Sequence, residues 1–289
     1  MPSILHTLTT TDIQIPLPTP SKHHIDCLES GQVIYIPQFS FELNPTEQTL
    51  LHPKVCDTGK KNISYDYHTQ KLGGVSKQNP YQDSLQTMMH RYAVFAKSLV
   101  DTLLADYQSA LRWGRTSYRP VDISGRHRSK RQDDTRIHVD AFPATPVQGW
   151  RILRVFCNIN PENQPRVWHV GEPFASVLHQ FAPKLPAYHP FKAKLLQWLK
   201  ATKSLRTAYD HYMLHLHDQM KLDETYQATL EKTRVEFAAN STWIVFTDHV
   251  SHAALSGQYL LEQTFYLPVS GMLDPEQSPL RHIEKAGLK

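Results

Sequence analysis

His138 and Asp140 stand two positions apart in the run TRIHVDAF. On a strand, residues i and i+2 face the same side, so an imidazole and a carboxylate converge there while Val139 points the other way. Such a pair supplies two of the three ligands in the 2-His-1-carboxylate facial triad of non-haem Fe(II) oxygenases, which leaves positions on the iron open for a cosubstrate and O2. The third ligand must come from a distant strand. The segment STWIVFTDHVSHAALSGQYLLEQTFYLP offers His249 and His252 at the mouth of a β-patterned hairpin. His252 is favoured, because it follows the apolar strand and its turn in a short apolar stretch. His249 follows Asp248 in a polar step and stays the alternative.

Iron enzymes of this type commonly use 2-oxoglutarate, whose distal carboxylate needs a fixed cation inside an apolar barrel. A guanidinium suits it, gripping a carboxylate through two parallel hydrogen bonds. Between His252 and Arg281 the chain contains no Arg or Lys, so the cation must come from elsewhere. In RILRVFCNIN one face carries Arg151, Leu153, Val155 and Cys157, and the other Ile152, Arg154, Phe156 and Asn158. A charge in a buried sheet needs a partner. Arg154 is therefore assigned to the distal carboxylate, with Asn158 as its hydrogen-bonding neighbour on the same face. Arg151 is the second choice, and either guanidinium could instead pair with Asp140 or Glu262.

Upstream, SGRHRSKRQDDTR crowds Arg126, Arg128, Lys130 and Arg131 together. Charge runs are usually solvated faces. Placed at the entrance to the metal strand, this one reads as a rim that binds an anionic substrate, and each basic residue near an anionic membrane surface contributes on the order of 1 kcal/mol. His211 and His215 have helical i, i+4 spacing, with His217 nearby, but HYMLH lacks the glutamate of a zinc protease. These three read as surface or packing histidines. Cys157 reads as an interior thiol.

The elements that must position these groups are mainly β with flanking helices (α+β), in short turn-separated runs of the kind a meander or jelly roll requires. Residues 1–30 read as an extended or loosely ordered arm, and 31–289 as one jelly-roll domain. Apolar residues recurring every three or four positions from Ser84 to Trp113 predict a long helix closed by Gly114. Short β-rich runs follow, interrupted by a helical insert at about 174–230 that consists of Phe174 to Phe181 and then Phe191 to about Leu230. Lys54 to Pro80 reads as polar and irregular.

The chain has 289 residues, long enough to bury a core without staples. Its 31 Lys and Arg against 27 Asp and Glu leave a net charge of +4. That is too mild an excess to argue for nucleic acid. Cys27, Cys56 and Cys157 are odd in number and widely spaced, which argues against a disulfide scaffold and for a reducing compartment. Neither a signal-peptide pattern nor a run of about 18 apolar residues occurs, so secretion and membrane spanning are disfavoured.

Taken together, TSYRPVDISGR, DDTRIHVDAFPATPVQGWRILRVFCNINP, RVWHVGEPF and FTDHVSHAALSGQYLLEQTFYLP resemble the Kdo hydroxylase family, over Thr116 to Pro268. The resemblance implies a double-stranded β-helix core of jelly-roll, cupin-like type, and an Fe(II)- and 2-oxoglutarate-dependent dioxygenase that uses O2 to hydroxylate the 3-deoxy-D-manno-oct-2-ulosonic acid (Kdo) sugar of lipid A precursors. It also implies a cytoplasmic enzyme in peripheral contact with the inner membrane. Carried over by motif, His138, Asp140 and His252 are the iron ligands, whereas Arg154 rests on strand parity alone. Three competing readings are a 2-oxoglutarate oxygenase of another substrate, such as a protein side chain, a non-redox metal cupin acting on sugars, and a non-catalytic lipopolysaccharide-binding or scaffold protein. The run RHRSKR suits an anionic glycolipid better than a peptide.

Overall fold

The computed structural model describes residues 3–14, 21–57, 59–60, 62–124 and 129–288. Its strands are β1 (Leu5–Thr7), β2 (Val33–Ile36), β3 (Ile63–Asp66), β4 (Lys71–Gly73), β5 (Arg112–Arg119), β6 (Arg151–Asn158), β7 (Arg166–Val170), β8 (Thr233–Phe237), β9 (Ser241–Phe246), β10 (His252–Ser256) and β11 (Leu260–Leu267). The helices are α1 (Ser21–Glu29), α2 (Pro45–Gln48), α3 (Gln82–Leu103), α4 (Phe174–Phe181), α5 (Pro190–Trp198), α6 (Ala208–Leu222), α7 (Glu224–Thr229) and α8 (Pro279–Lys285). Among the described residues, one sheet runs β1-β2-β9-β6-β11-β5-β3-β4 and a smaller one runs β10-β7-β8. They are the major and minor sheets of a double-stranded β-helix.

Strand alternation sorts the core. On β6 the side chains of Leu153, Val155 and Cys157 join the cluster under α1 and α3, while Phe156 joins Trp168, Phe237 and Trp243 between the two sheets. Phe237 stacks on Trp243 with ring centroids 4.1 Å apart, which closes one end of the space between the sheets. The methionines and aromatics of α3 are core: Met88, Met89 and Tyr92 are fully buried. The Tyr92 hydroxyl lies 2.9 Å from the Val155 carbonyl and 3.3 Å from that of Leu261, so one side chain fastens the helix to two central strands.

Several elements differ from their sequence-based expectation. The long helix stops at Leu103, not Trp113, and Trp113 and Gly114 lie inside β5. Pairing of β5 with both β11 and β3 overrides the helical period. Gly114 is not a helix cap: a Cβ there would stand 2.8 Å from the Thr264 carbonyl oxygen, so the glycine permits close strand approach. Within residues 1–30, β1 pairs in parallel with β2, and α1 buries His24, Ile25, Leu28 and Glu29. The described residues of this stretch, 3–14 and 21–30, pack as a layer of the fold rather than a loose arm, with four buried side chains on α1 that the Thr- and Pro-rich composition concealed. Residues 54–80 contain the β3–β4 hairpin. The second half of the helical insert breaks into α5, α6 and α7 instead of running unbroken to Leu230.

Candidate metal centre and cavity

TRIHVDAF is not a full strand: Thr135 lies in a turn and Arg136 in a bend, and the run from Ile137 has no regular ladder. It pairs with β10 through a single bridge, His138 opposite His252. The His138 N–H donates to the His252 carbonyl at 3.0 Å and the His252 N–H returns the bond at 2.8 Å. Two residues on, the Asp140 N–H donates to the Thr247 carbonyl at 2.8 Å. Backbone register therefore sets the two imidazoles opposite each other, with their ring centroids 4.8 Å apart. Asp140 falls on the same side by strand alternation.

Each imidazole is oriented by a carbonyl, which can only accept. Nδ1 of His138 lies 2.7 Å from the Arg136 oxygen, and Nδ1 of His252 lies 2.8 Å from that of Val250. Both Nδ1 atoms thus carry the proton, and both Nε2 atoms keep a bare lone pair. This second layer of bonds is the arrangement that orients metal-binding histidines. His138 Nε2 is 3.6 Å from Asp140 Oδ1, and the potential ligand atoms of His138, Asp140 and His252 all lie within 4.8 Å of one another. Burial and then the neighbouring His138 bring His252 down to about 4, so its ring is neutral at physiological pH. Burial alone would push Asp140 up. The Arg154 guanidinium, then His138 and His252, outweigh it and hold the carboxyl well below its usual range. Two imidazoles and one carboxylate, converging from buried positions, fit a divalent iron and its facial donor set.

The competing histidine is elsewhere. His249 is buried, its ring packed against Phe174 and His282, and it does not line the cavity that the triad faces.

That cavity has a volume of about 500 Å³ and is crowded with charge. Arg154 lies 3.2 Å from Asp140 and 3.5 Å from Glu262. Arg119 pairs with Glu262 at 2.7 Å, and Lys221 lies 3.6 Å from Asp134. Arg166 is the exception: it is 4 % exposed, and among the described residues no carboxylate comes within ion-pairing distance. One of its guanidinium N–H groups donates to the Gly257 carbonyl at 2.8 Å, and its buried Nε has no hydrogen-bond partner. Burial and then Arg119 pull its pKa down to about 9, so the cation persists at neutral pH with unmet demand for an anion.

The structure therefore brings together His138, Asp140, His252, Arg154 and Arg131, all of which line the cavity. Asn158 does not join them. Its amide donates to the Gln164 and Phe237 carbonyls at 3.0 and 3.1 Å and its oxygen accepts from the Asn160 N–H, so it is consumed by a turn at the far end of β6. Strand parity assigned the correct face but ignored the distance along the strand. Lys130 pairs with Glu224 at 2.7 Å outside the cavity lining, and Arg126 and Arg128 lie outside the described residues. Arg151 is also ruled out as a cavity cation, because it is buried against Asp248. Of the histidines read as surface or packing, His217 packs: it lines the cavity, with its ring 5.4 Å from that of His138. Sequence reasoning also missed Arg166 and Trp168, although their i, i+2 spacing on RVWHV was a usable signal. Trp168 stacks on His252 with centroids 4.8 Å apart.

The geometry has close counterparts. A family model described as 3-deoxy-D-manno-oct-2-ulosonic acid (Kdo) hydroxylase matches residues 12–289. A search of curated proteins finds no match. Among solved structures, the chain is similar to the Kdo hydroxylase KdoO, a non-haem Fe(II) α-ketoglutarate-dependent dioxygenase, in complex with cobalt(II). The identity is 43 % and the TM-score 0.94, covering 99 % of this chain and 97 % of that one. KdoO in complex with α-ketoglutarate and Fe(III) matches at 43 % identity and a TM-score of 0.92, covering 99 % and 96 %. KdoO with succinate and Fe(III) matches at 42 % identity and a TM-score of 0.92, covering 99 % and 97 %.

Proposed function

The chain belongs to the Kdo hydroxylase family, and on that premise we propose that it hydroxylates the Kdo sugar of a lipid A precursor, using Fe(II), 2-oxoglutarate and O2, with His138, Asp140 and His252 as the iron ligands. One observation supports this above the rest: both histidines are locked by backbone carbonyls in the tautomer that leaves Nε2 bare beside Asp140. Iron in that position supplies the O2 chemistry that couples oxidation of 2-oxoglutarate to insertion of one oxygen atom into the sugar.

The protein's own residues bind, orient and exclude water. Asp140 is kept ionised by Arg154, and Trp168 fixes the His252 ring by stacking. For the distal carboxylate of 2-oxoglutarate, Arg154 already faces Asp140 and Glu262, whereas Arg166 has no carboxylate partner. We assign the carboxylate to Arg166 and leave Arg154 to hold Asp140. Removing one partner of a desolvated charge pair costs about 2 kcal/mol or more. Arg166→Leu should therefore raise the KM for 2-oxoglutarate by at least about 30-fold. If Arg154→Leu does this while Arg166→Leu does not, the assignment reverts to Arg154. Of the other lining cations, Arg119 is tied to Glu262 and Lys221 to Asp134, which leaves the exposed Arg131, in contact with Asp218 at the rim, to meet the anionic groups of the sugar substrate.

The substrate is carried on a lipid, and α5 supports a peripheral membrane contact. Phe191, Leu195, Trp198 and Leu199 fall at i, i+4, i+7 and i+8, and all four are exposed, Phe191 by 78 % and Trp198 by 77 %. An outward apolar stripe on a helix beside exposed Lys192, Lys194 and Lys200 matches an anionic lipid surface in both polarity and charge. The chain after α5 reaches the cavity rim, where the Arg206 guanidinium donates to the Pro143 carbonyl at 2.7 Å. Among the described residues, no helix is long and apolar enough to cross a membrane. The double variant Phe191→Ser/Trp198→Ser should lose at least about tenfold in binding to anionic vesicles, since each buried aromatic contributes about 1.5–3 kcal/mol. Its turnover of a water-soluble Kdo substrate should be unchanged. Equal co-sedimentation of wild type and variant would remove α5 from the contact.

The function itself is tested by mass spectrometry of Kdo-containing lipid incubated with the enzyme, Fe(II), 2-oxoglutarate and O2. The expected product gains one oxygen, with succinate formed in equal amount. Turnover without O2 would point to a non-redox cupin. Succinate formed only with another acceptor would move the substrate and leave the chemistry in place.

A further inference from the structure

A second group of metal-binding side chains lies outside the catalytic cavity. His23 and Cys27 stand at i, i+4 on α1 and so share one helix face, and His6 reaches them from β1. The potential ligand atoms of these three residues all lie within 4.8 Å of one another. We propose that His6, His23 and Cys27 form a zinc site that clips the edge strand β1 to α1.

The donor set and its spacing carry the proposal. Two imidazoles and one thiolate are a borderline-soft set that zinc takes in tetrahedral geometry, here with water in the fourth position. Zinc bonds of about 2.3 Å to sulfur and about 2.0–2.1 Å to nitrogen, opened to the tetrahedral angle, place the two ligand atoms about 3.6 Å apart. Cys27 Sγ and His23 Nε2 are already 3.9 Å apart.

A second layer is also present. His24 is fully buried, and its Nδ1 lies 3.0 Å from Nε2 of His6. A bond between two imidazoles needs one N–H and one bare nitrogen. With the His6 Nε2–H donating to His24, Nδ1 of His6 is left bare for the ion, and its ring is oriented as ligand histidines generally are.

The placement gives the ion work to do. β1 lies at the edge of the sheet and is held there by three paired residues on β2. α1 is firmly anchored, with Ile25 and Leu28 in the core and Glu29 accepting from the Tyr107 hydroxyl and the Leu273 and Asp274 N–H groups. An ion shared between His6 and the helix joins the weakly held strand to the anchored one.

The test uses metal alone on the full-length chain. Cobalt(II) titrated into the metal-free protein should produce a thiolate-to-cobalt charge-transfer band in the near ultraviolet. The band should persist in His252→Ala, which lacks a catalytic triad, and vanish in Cys27→Ser. In competition with a chromophoric chelator, wild type should hold one more zinc per chain than Cys27→Ser or His23→Ala, each weakened by at least about 100-fold at this site. Cys27→Ser should keep its hydroxylase activity and its circular dichroism spectrum, which separates this site from the catalytic one. A band that survives Cys27→Ser, or equal zinc stoichiometry in the folded variants, overturns the proposal.

Discussion

His252→Ala is expected to lose more than about 100-fold in hydroxylase activity and to retain no iron after desalting, whereas His249→Ala keeps its iron and most of its turnover. The two histidines lie three residues apart and both are buried, but their surroundings differ. His252 pairs through its backbone with His138, donates from Nδ1 to the Val250 carbonyl and stacks on Trp168, so its Nε2 is aimed beside Asp140. His249 packs on Phe174 and His282 away from the cavity. Loss of residues that merely orient a metal ligand typically costs 10–100-fold, and loss of the ligand itself should exceed that. Iron per chain by elemental analysis, together with succinate release, checks both variants. Iron retained in His252→Ala and lost in His249→Ala would exchange their roles and break the proposed triad.

The largest expected stability effect belongs to Asp248→Ala, which should lower the unfolding free energy by about 3–5 kcal/mol. Arg151 Nε donates to Asp248 Oδ2 at 2.7 Å, and both side chains are 0 % exposed. The guanidinium also lies 3.9 Å from the Phe246 ring centroid, and the Ile152 N–H donates to the other carboxylate oxygen at 3.2 Å. Burial raises the Asp248 pKa despite Arg151, so desolvation outweighs the attraction and the pair adds little net stability. Removing one half is different, because it leaves a guanidinium in the core with no counter-charge. Urea denaturation of Asp248→Ala should show the full loss, whereas replacing both partners by apolar residues of similar volume should cost far less. A single-variant loss below about 1 kcal/mol would mean that water or a rearranged neighbour satisfies Arg151. The same pair explains why Arg151, a plausible carboxylate anchor by type, does not serve the cavity.

Position along the chain was legible where chemistry and element are local. His138 and Asp140 are two apart, which places them on one side of any extended segment, even one that pairs by a single bridge. The apolar period marked α3 as a core helix and the Phe174–Phe181 segment as α4. Alternation on β6 separated Arg154 from Leu153 and Val155. It could not say that Asn158, on the same face, is spent on Gln164 and Phe237.

What the order of residues determined by itself was the rolled sheet with its helices, the placing of His138 and Asp140 on one side, and the family. Each follows from spacing within a few residues or from motifs read in order. Only the tertiary structure decided which late histidine meets that pair, that Arg166 is the cation left without a carboxylate, and that His6 comes beside His23 and Cys27. Whether a charge is paired, or a ligand atom finds its companions, depends on segments far away in the chain, and only packing brings those together.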